Sequence, residues 1–174
     1  MELGGGAHTW YLAREAFDVY AFDGSISAIN KLKKRLDYDG LHADIRVLDG
    51  IDLDYKDGFF DSVIDNVSIY CSIVENIKRM YAEVYRVLKY DGMLFTVAFL
   101  SDTTGYGMGE EIEKNTYKNI TEGNLAGRGI AHFYNKDELE SILTDVGFSV
   151  LNTNYLEYDD LGNKVSMVMV QAKK

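Results

Sequence analysis

The chain has 174 residues, of which 47% are apolar and 26% charged, which suits a single domain (residues 1–174) with one continuous core. Its formal net charge is −10, and an acidic surface repels phosphate backbones and anionic lipid, so we expect no nucleic-acid or membrane partner. The single cysteine, Cys71, excludes an intrachain disulfide, and no apolar run approaches the roughly 18 residues of a membrane span. We therefore expect a cytoplasmic protein.

Strands and helices alternate over residues 18–100. Residues 18–23 are rich in β-formers and alternate in polarity, which predicts a strand. Ser25 can cap a helix that runs to about Leu36. The predicted elements that follow are strands over 43–48 and 59–67, a helix over 73–89 that Asp91 and Gly92 end, and a strand over 93–100.

Residues 101–131 interrupt this alternation, because they are rich in Gly, Thr and Asn. We predict an insertion there, with a helical stretch over 110–118, that acts as a lid. A helix over 136–146, closed by Gly147, and two strands over 148–158 and 165–172 follow. The order predicts an α/β fold with a doubly wound, mostly parallel sheet, to which a C-terminal hairpin adds one antiparallel strand at an edge.

Glycines and acidic residues stand where a ligand of such a sheet would bind. Gly4, Gly5 and Gly6 let the backbone approach a ligand closely at the start of a helix. Asp23 ends the next strand, where a carboxylate can accept both hydroxyls of a ribose. Asp49 follows the strand over 43–48 in the same way, although a solvated acidic loop is the alternative, since other aspartates surround it.

At these positions the chain resembles the class I S-adenosylmethionine-dependent methyltransferases, and the resemblance covers nearly all of it. It implies a Rossmann-like fold, S-adenosylmethionine as cofactor and a small-molecule methyl acceptor. The loop Glu2-Leu-Gly-Gly-Gly6 is similar to the family's loop around the methionine part of the cofactor. The resemblance further implies these contacts: Asp23, Gly24 and Ser25 at the ribose, Asp49, Gly50 and Ile51 at the adenine, and Asp65 and Asn66 at the end of the strand that lines the transfer site.

Three positions depart from the family's pattern. His8 stands where a third glycine is usual, and Tyr90-Asp91 replaces the usual Pro-Gly. Only Met1 to Leu3 are left for the family's central first strand, which we therefore expect to be truncated. A short central strand exposes the edges of its neighbours, and such edges recruit other chains, so we expect a homodimer.

Two residues are candidates for the catalytic step. His132, or a water held by Tyr70, could remove a proton from a hydroxyl or ammonium acceptor. An ordinary hinge histidine and a packed aromatic are the alternatives. One Cys and three scattered His give no zinc pattern, so we predict no metal.

Two other functions share parts of the pattern. A methyltransferase-like module could bind the cofactor without turnover. A nicotinamide-dependent oxidoreductase would share the glycines and Asp23, but its fingerprint needs a glycine where Thr9 stands.

Overall fold

The computed structural model describes residues 6–174, which form two compact units, residues up to Asp54 and residues 55–174. Glu2, Gly4, Gly5 and the stretch from Met1 to Leu3, for which the sequence predicts a truncated strand, lie outside the described residues. The helices within the described range have 8 to 14 residues, and none of them has the length and apolar character to cross a membrane.

The N-terminal unit consists of α1 (Ala7–Arg14), β1 (Tyr20–Asp23), α2 (Ile26–Tyr38) and β2 (Asp44–Val47). The two strands are parallel, with Asp23 opposite Val47. Ser25 caps α2 as predicted, since its hydroxyl accepts the Ala28 N–H at 3.4 Å. The core of this unit is formed by four buried apolar side chains: Ala21, Ile29, Leu32 and Leu36.

The larger sheet of the C-terminal unit contains β3 (Phe60–Asn66), β4 (Leu88–Phe99), β8 (Ser149–Asp160) and β9 (Asn163–Lys173). Its strand order is β3-β4-β9-β8. Helices α3 (Val74–Val87) and α4 (Glu138–Val146) pack on it. β3 and β4 are parallel, and β9 is antiparallel to both of its neighbours. The edge prediction was therefore wrong in one respect, because the antiparallel strand lies inside the sheet and β8 forms the edge.

A smaller antiparallel sheet contains β5 (Glu110–Glu113), β6 (Thr116–Lys118) and β7 (Ala131–His132). The helix predicted over 110–118 is wrong, since these residues form a hairpin. Asn115 turns the chain at φ +63°, a conformation that Asn tolerates better than most residues, and the β-formers Thr116 and Tyr117 follow it. Tyr117, Ile120 and Leu125 pack into the core of the unit, so the segment over 101–131 is anchored to it.

The end of α3 also differs from the prediction. The helix stops at Val87, and β4 begins directly at Leu88. The left-handed residue is Asp91, at φ +64°, rather than Gly92. Gly92 is needed for a close approach instead, because an added Cβ would lie 2.8 Å from the Lys89 carbonyl oxygen. Gly147 closes α4 as predicted, at φ +118°.

Candidate functional site

Two carboxylates follow the neighbouring parallel strands of the N-terminal unit. Asp23 ends β1, and its Oδ1 accepts the Ser25 N–H at 2.7 Å. Asp49 follows β2, and its Oδ1 accepts the Ile51 N–H at 3.2 Å. Because parallel strands end at the same edge of their sheet, both acids lie at one edge. Each carboxylate is oriented by the backbone N–H of the residue two positions later. Asp23 is partly exposed, and Asp49 is exposed.

Gly6 is the N-cap residue directly before α1, and any other residue there would force its surroundings to shift. Its φ is +66°, and an added Cβ would overlap the side chain of Leu32. The N-cap residue Gly6 has no side chain that could cap α1, and the N–H groups of the first turn point beyond the helix end. Such a helix start suits the carboxylate of an amino acid. The glycine, the helix start and the two acids therefore fit the amino-acid and nucleoside parts of S-adenosylmethionine.

The helix start is fixed within this unit by Trp10. The guanidinium carbons of Arg14 and Arg35 lie 4.8 Å and 4.9 Å from the centre of its ring, and its Nε1 donates to Asp39. These contacts connect α1 to α2. The sequence pattern did not indicate them, because α1 is too short for a clear apolar period.

Asp65 lies in the interior, which corrects its predicted role as a direct cofactor contact. Its side chain is 1% exposed. Oδ1 accepts the N–H groups of Ser68 and Ile69 at 3.1 Å and 3.2 Å. Oδ2 accepts the hydroxyls of Thr96 at 2.7 Å and Tyr81 at 3.4 Å. The carboxylate therefore holds the chain that follows β3, while Asn66, at the end of β3, is partly exposed.

The two predicted catalytic residues are adjacent in the C-terminal unit. The backbone N–H of His132 donates to the backbone carbonyl oxygen of Tyr70 at 2.9 Å. The ring of Tyr70 is 8% exposed and packs edge-on against Phe99, with 5.1 Å between centroids. The side chain of Tyr70 is therefore largely a packed aromatic, which was the alternative to a catalytic role.

His132 has no exposed surface, and both of its ring nitrogens are bonded. Nδ1 lies 2.7 Å from the Thr116 hydroxyl, and Nε2 lies 3.2 Å from a Glu138 carboxylate oxygen. The Thr116 hydroxyl in turn lies 3.1 Å from Glu113, which accepts the Val74 N–H at the start of α3. The geometry does not support the predicted base role, because the ring would have to leave both partners to reach an acceptor.

This buried polar network was missed at the sequence level. Thr116 and Glu113 were assigned to a helix, so their position beside His132 could not be foreseen. Burial alone would raise the pKa of Glu138, but the hydrogen bonds from His132 and from the Asn135 N–H outweigh it and lower that pKa below its usual range. The network connects the small sheet to α3 and α4.

Comparison with known proteins agrees with this arrangement. A family model described as a methyltransferase domain matches residues 2–96. An uncharacterized methyltransferase of Bacillus subtilis, YbaJ, is 29% identical in an alignment of 143 positions that covers 71% of this chain and 55% of that protein. The chain thus spans about half the length of this curated relative.

Solved structures share the fold. A SAM-dependent methyltransferase from Methanosarcina mazei superposes with a TM-score of 0.82 at 23% identity, over 95% of this chain and 86% of that one. A 1,6-didemethyltoxoflavin-N1-methyltransferase from Burkholderia thailandensis, solved with its substrate and S-adenosylhomocysteine, gives 0.75 at 18%, over 99% and 68%. The [4+2]-cyclase SpnF also gives 0.75, at 17% and over 98% and 71%, so the fold by itself does not fix the reaction.

The predicted Rossmann-like fold is confirmed by these superpositions, and the predicted cofactor is confirmed at the level of the family. The matched residues 2–96 make up more than half of the 174-residue chain. The chain therefore belongs to the methyltransferase-domain family.

Proposed function

We propose that the protein transfers the methyl group of S-adenosylmethionine to a small-molecule acceptor. The observation that carries the proposal is the pair of carboxylates, Asp23 and Asp49, that follow the two parallel strands at one edge. A glycine-started helix in the same unit and membership of the methyltransferase-domain family support it.

The N-terminal unit would bind the cofactor through three groups of residues. Asp23, with Gly24 and Ser25, would accept the ribose hydroxyls. Asp49, with Gly50, would accept the adenine amino group, and Ile51 would pack on the ring. The loop over 2–6 and the start of α1 would hold the methionine part.

The C-terminal unit would contribute to the acceptor side. S-adenosylmethionine, when bound, supplies a methyl group that its sulfonium already activates. The protein's task is then to orient the acceptor and to exclude water. We assign these tasks to Asn66 at the end of β3, to Tyr70 in the chain that follows, and to the segment over 101–131. His132 would act by holding Tyr70 in place through its main chain rather than as a base.

A labelling experiment tests the proposal. The protein is incubated with S-adenosylmethionine that carries a labelled methyl group and with a small-molecule extract, and the products are separated by mass spectrometry. We expect label in one compound class together with S-adenosylhomocysteine. The experiment is repeated with Asp23→Ala. Its matched control is Asp37→Ala, which replaces an exposed acid on α2.

Binding titrations of the same protein, run beside the labelling, separate the alternatives. Binding of S-adenosylhomocysteine without any labelled product would indicate a binding module. Binding of a nicotinamide dinucleotide in its place would indicate an oxidoreductase. Binding of neither would refute the proposal.

A further inference from the structure

The main chain directly after β3 is held in a strained conformation. Val67 follows the last residue of β3 and has φ +51°. This left-handed region is unfavourable for a β-branched residue, and residues forced into it occur mainly at functional sites. The strain lies in residues 66–71, which we call the β3 turn.

Hydrogen bonds on both sides of Val67 enforce this conformation. Its own N–H donates to the Val97 carbonyl oxygen at 3.0 Å, which continues the pairing of β3 with β4. The next two N–H groups, of Ser68 and Ile69, both point back to Oδ1 of Asp65. The chain must therefore reverse within one residue, and Val67 is that residue.

The carboxylate that makes these bonds is itself held in the core. The Thr96 hydroxyl on β4 donates to Oδ2, and the single hydroxyl proton of Tyr81 on α3 is shared between Oδ2 and the Thr96 oxygen, which lies 2.9 Å from the Tyr81 oxygen. Burial, with the neighbouring Tyr134 and Asp65, raises the pKa of Tyr81 well above its usual range, so its hydroxyl remains a donor. Burying a carboxylate is costly unless several donors satisfy it, and four do so here.

The β3 turn contains Tyr70, the aromatic that the proposed function places at the acceptor. The Ser68 carbonyl oxygen accepts the Cys71 N–H at 3.3 Å, and the Tyr70 carbonyl oxygen accepts from His132. The position of Tyr70 thus depends on the direction in which the chain leaves Val67.

We propose that Asp65 is a positioning residue, which holds the β3 turn in its strained form and so fixes Tyr70 for the methyl acceptor. The inference rests on the proposed function for its catalytic consequence. The geometry of the turn does not depend on that function and can be measured separately.

Three variants and one destabilised control test the inference. Asp65→Ala removes the acceptor of both amides. Asp65→Asn keeps one oxygen for them. Asp65→Ala combined with Val67→Gly restores a residue for which φ +51° is unstrained. Leu143→Ala removes a fully buried side chain on α4, which lowers stability while Asp65 and Val67 are both kept.

We measure amide exchange at Ser68 and Ile69, the affinity for S-adenosylhomocysteine, and kcat with the acceptor that the labelling experiment identifies. For Asp65→Ala we expect exchange about tenfold faster and kcat about tenfold lower, with the affinity unchanged within about twofold. Asp65→Asn should retain most of kcat. The kcat of Asp65→Ala combined with Val67→Gly should be about threefold higher than that of Asp65→Ala alone, because glycine adopts the turn without help from the carboxylate.

Two results would overturn the inference. One is an Asp65→Ala protein with a lower melting temperature but unchanged kcat and unchanged exchange at both amides. The other is an equal loss of kcat in Leu143→Ala, which would reduce the role of Asp65 to general stability. If the wild type neither binds S-adenosylhomocysteine nor transfers methyl, the proposed function fails, while the exchange data still decide whether Asp65 holds the turn.

Discussion

At the scale of single residues, acids with the same side chain have different roles because of their surroundings. Asp23 accepts one backbone N–H and keeps exposed surface, whereas Asp65 accepts four donors and has almost none. A sequence pattern places both acids at strand ends but carries no information on their burial. The chemistry of each acid therefore follows from the packing around it.

Replacement of Asp23 by Ala should weaken the binding of S-adenosylhomocysteine by about 1–3 kcal/mol, the usual effect of losing a charge-assisted hydrogen bond. Titration calorimetry measures the change. Asp37→Ala should bind as the wild type does, since that exposed acid lies near the other end of α2. Equal affinities of Asp23→Ala and the wild type would remove Asp23 from the site.

Glu138 should make stability depend on acid pH. Its pKa is lower in the folded protein than in the unfolded chain, so its contribution is full above about pH 5 and is lost as the pH falls through the folded pKa. Glu138→Gln should thus lose less unfolding free energy between neutral and acid pH than the wild type. Urea unfolding at several pH values tests this, with Glu140→Gln as the control on the same helix. Parallel pH profiles of Glu138→Gln and the wild type would contradict the assignment.

At the scale of elements, the hairpin between β8 and β9 contains an avoidable strain. Its two-residue turn is Leu161-Gly162, with φ +53° and +87°. Such turns favour Asn-Gly, and Leu161 is 98% exposed, so its side chain contributes no packing.

Leu161→Asn should therefore raise the free energy of unfolding by about 1 kcal/mol, because Asn adopts the left-handed region at lower cost. Denaturant unfolding measures the gain. Leu151→Asn, which replaces an exposed leucine of β8 outside the turn, should give none. An unchanged or lower stability of Leu161→Asn would show that the turn is not strained.

The segment over 101–131 should act as a lid, with faster hydrogen exchange than β3 and β4 in the free protein and slower exchange when cofactor and acceptor are bound. The rings of Tyr106, Tyr117 and Phe133 pack edge-on against each other, with centroids 5.4 to 6.0 Å apart. We expect this aromatic cluster to act as the fixed base of the movement. Equal protection in the free and bound protein would count against a lid.

The elements with a strong period could be predicted from the sequence, and those decided by tertiary contacts could not. The amphipathic pattern from residue 73 identified α3, and β3 was evident from its apolar residues. Glu110 to Lys118 has the charges and length of a helix, but pairing of β6 with both neighbours outweighs that local preference. The positions of the acids that follow β1 and β2 were foreseen because they depend on the strand ends alone, whereas the interior position of Asp65 and the bonded ring of His132 depend on long-range packing.

At the scale of the whole molecule, a shared fold supports several reactions. The structural relatives include two methyltransferases and a [4+2]-cyclase with similar TM-scores. The overall likeness therefore does not fix the reaction, and the function has to be tested at the proposed site residues. With a net charge of −10, the protein is also better suited to a small molecule than to a polyanion.

The most direct test of the account is titration calorimetry of the full chain with S-adenosylhomocysteine. We predict saturable binding at one site per chain, and displacement by S-adenosylmethionine. Nicotinamide dinucleotides should produce no binding heat, because the site lacks the glycine that they require at the position of Thr9. Absence of any saturable heat with S-adenosylhomocysteine, from protein that melts cooperatively, would contradict the central claim.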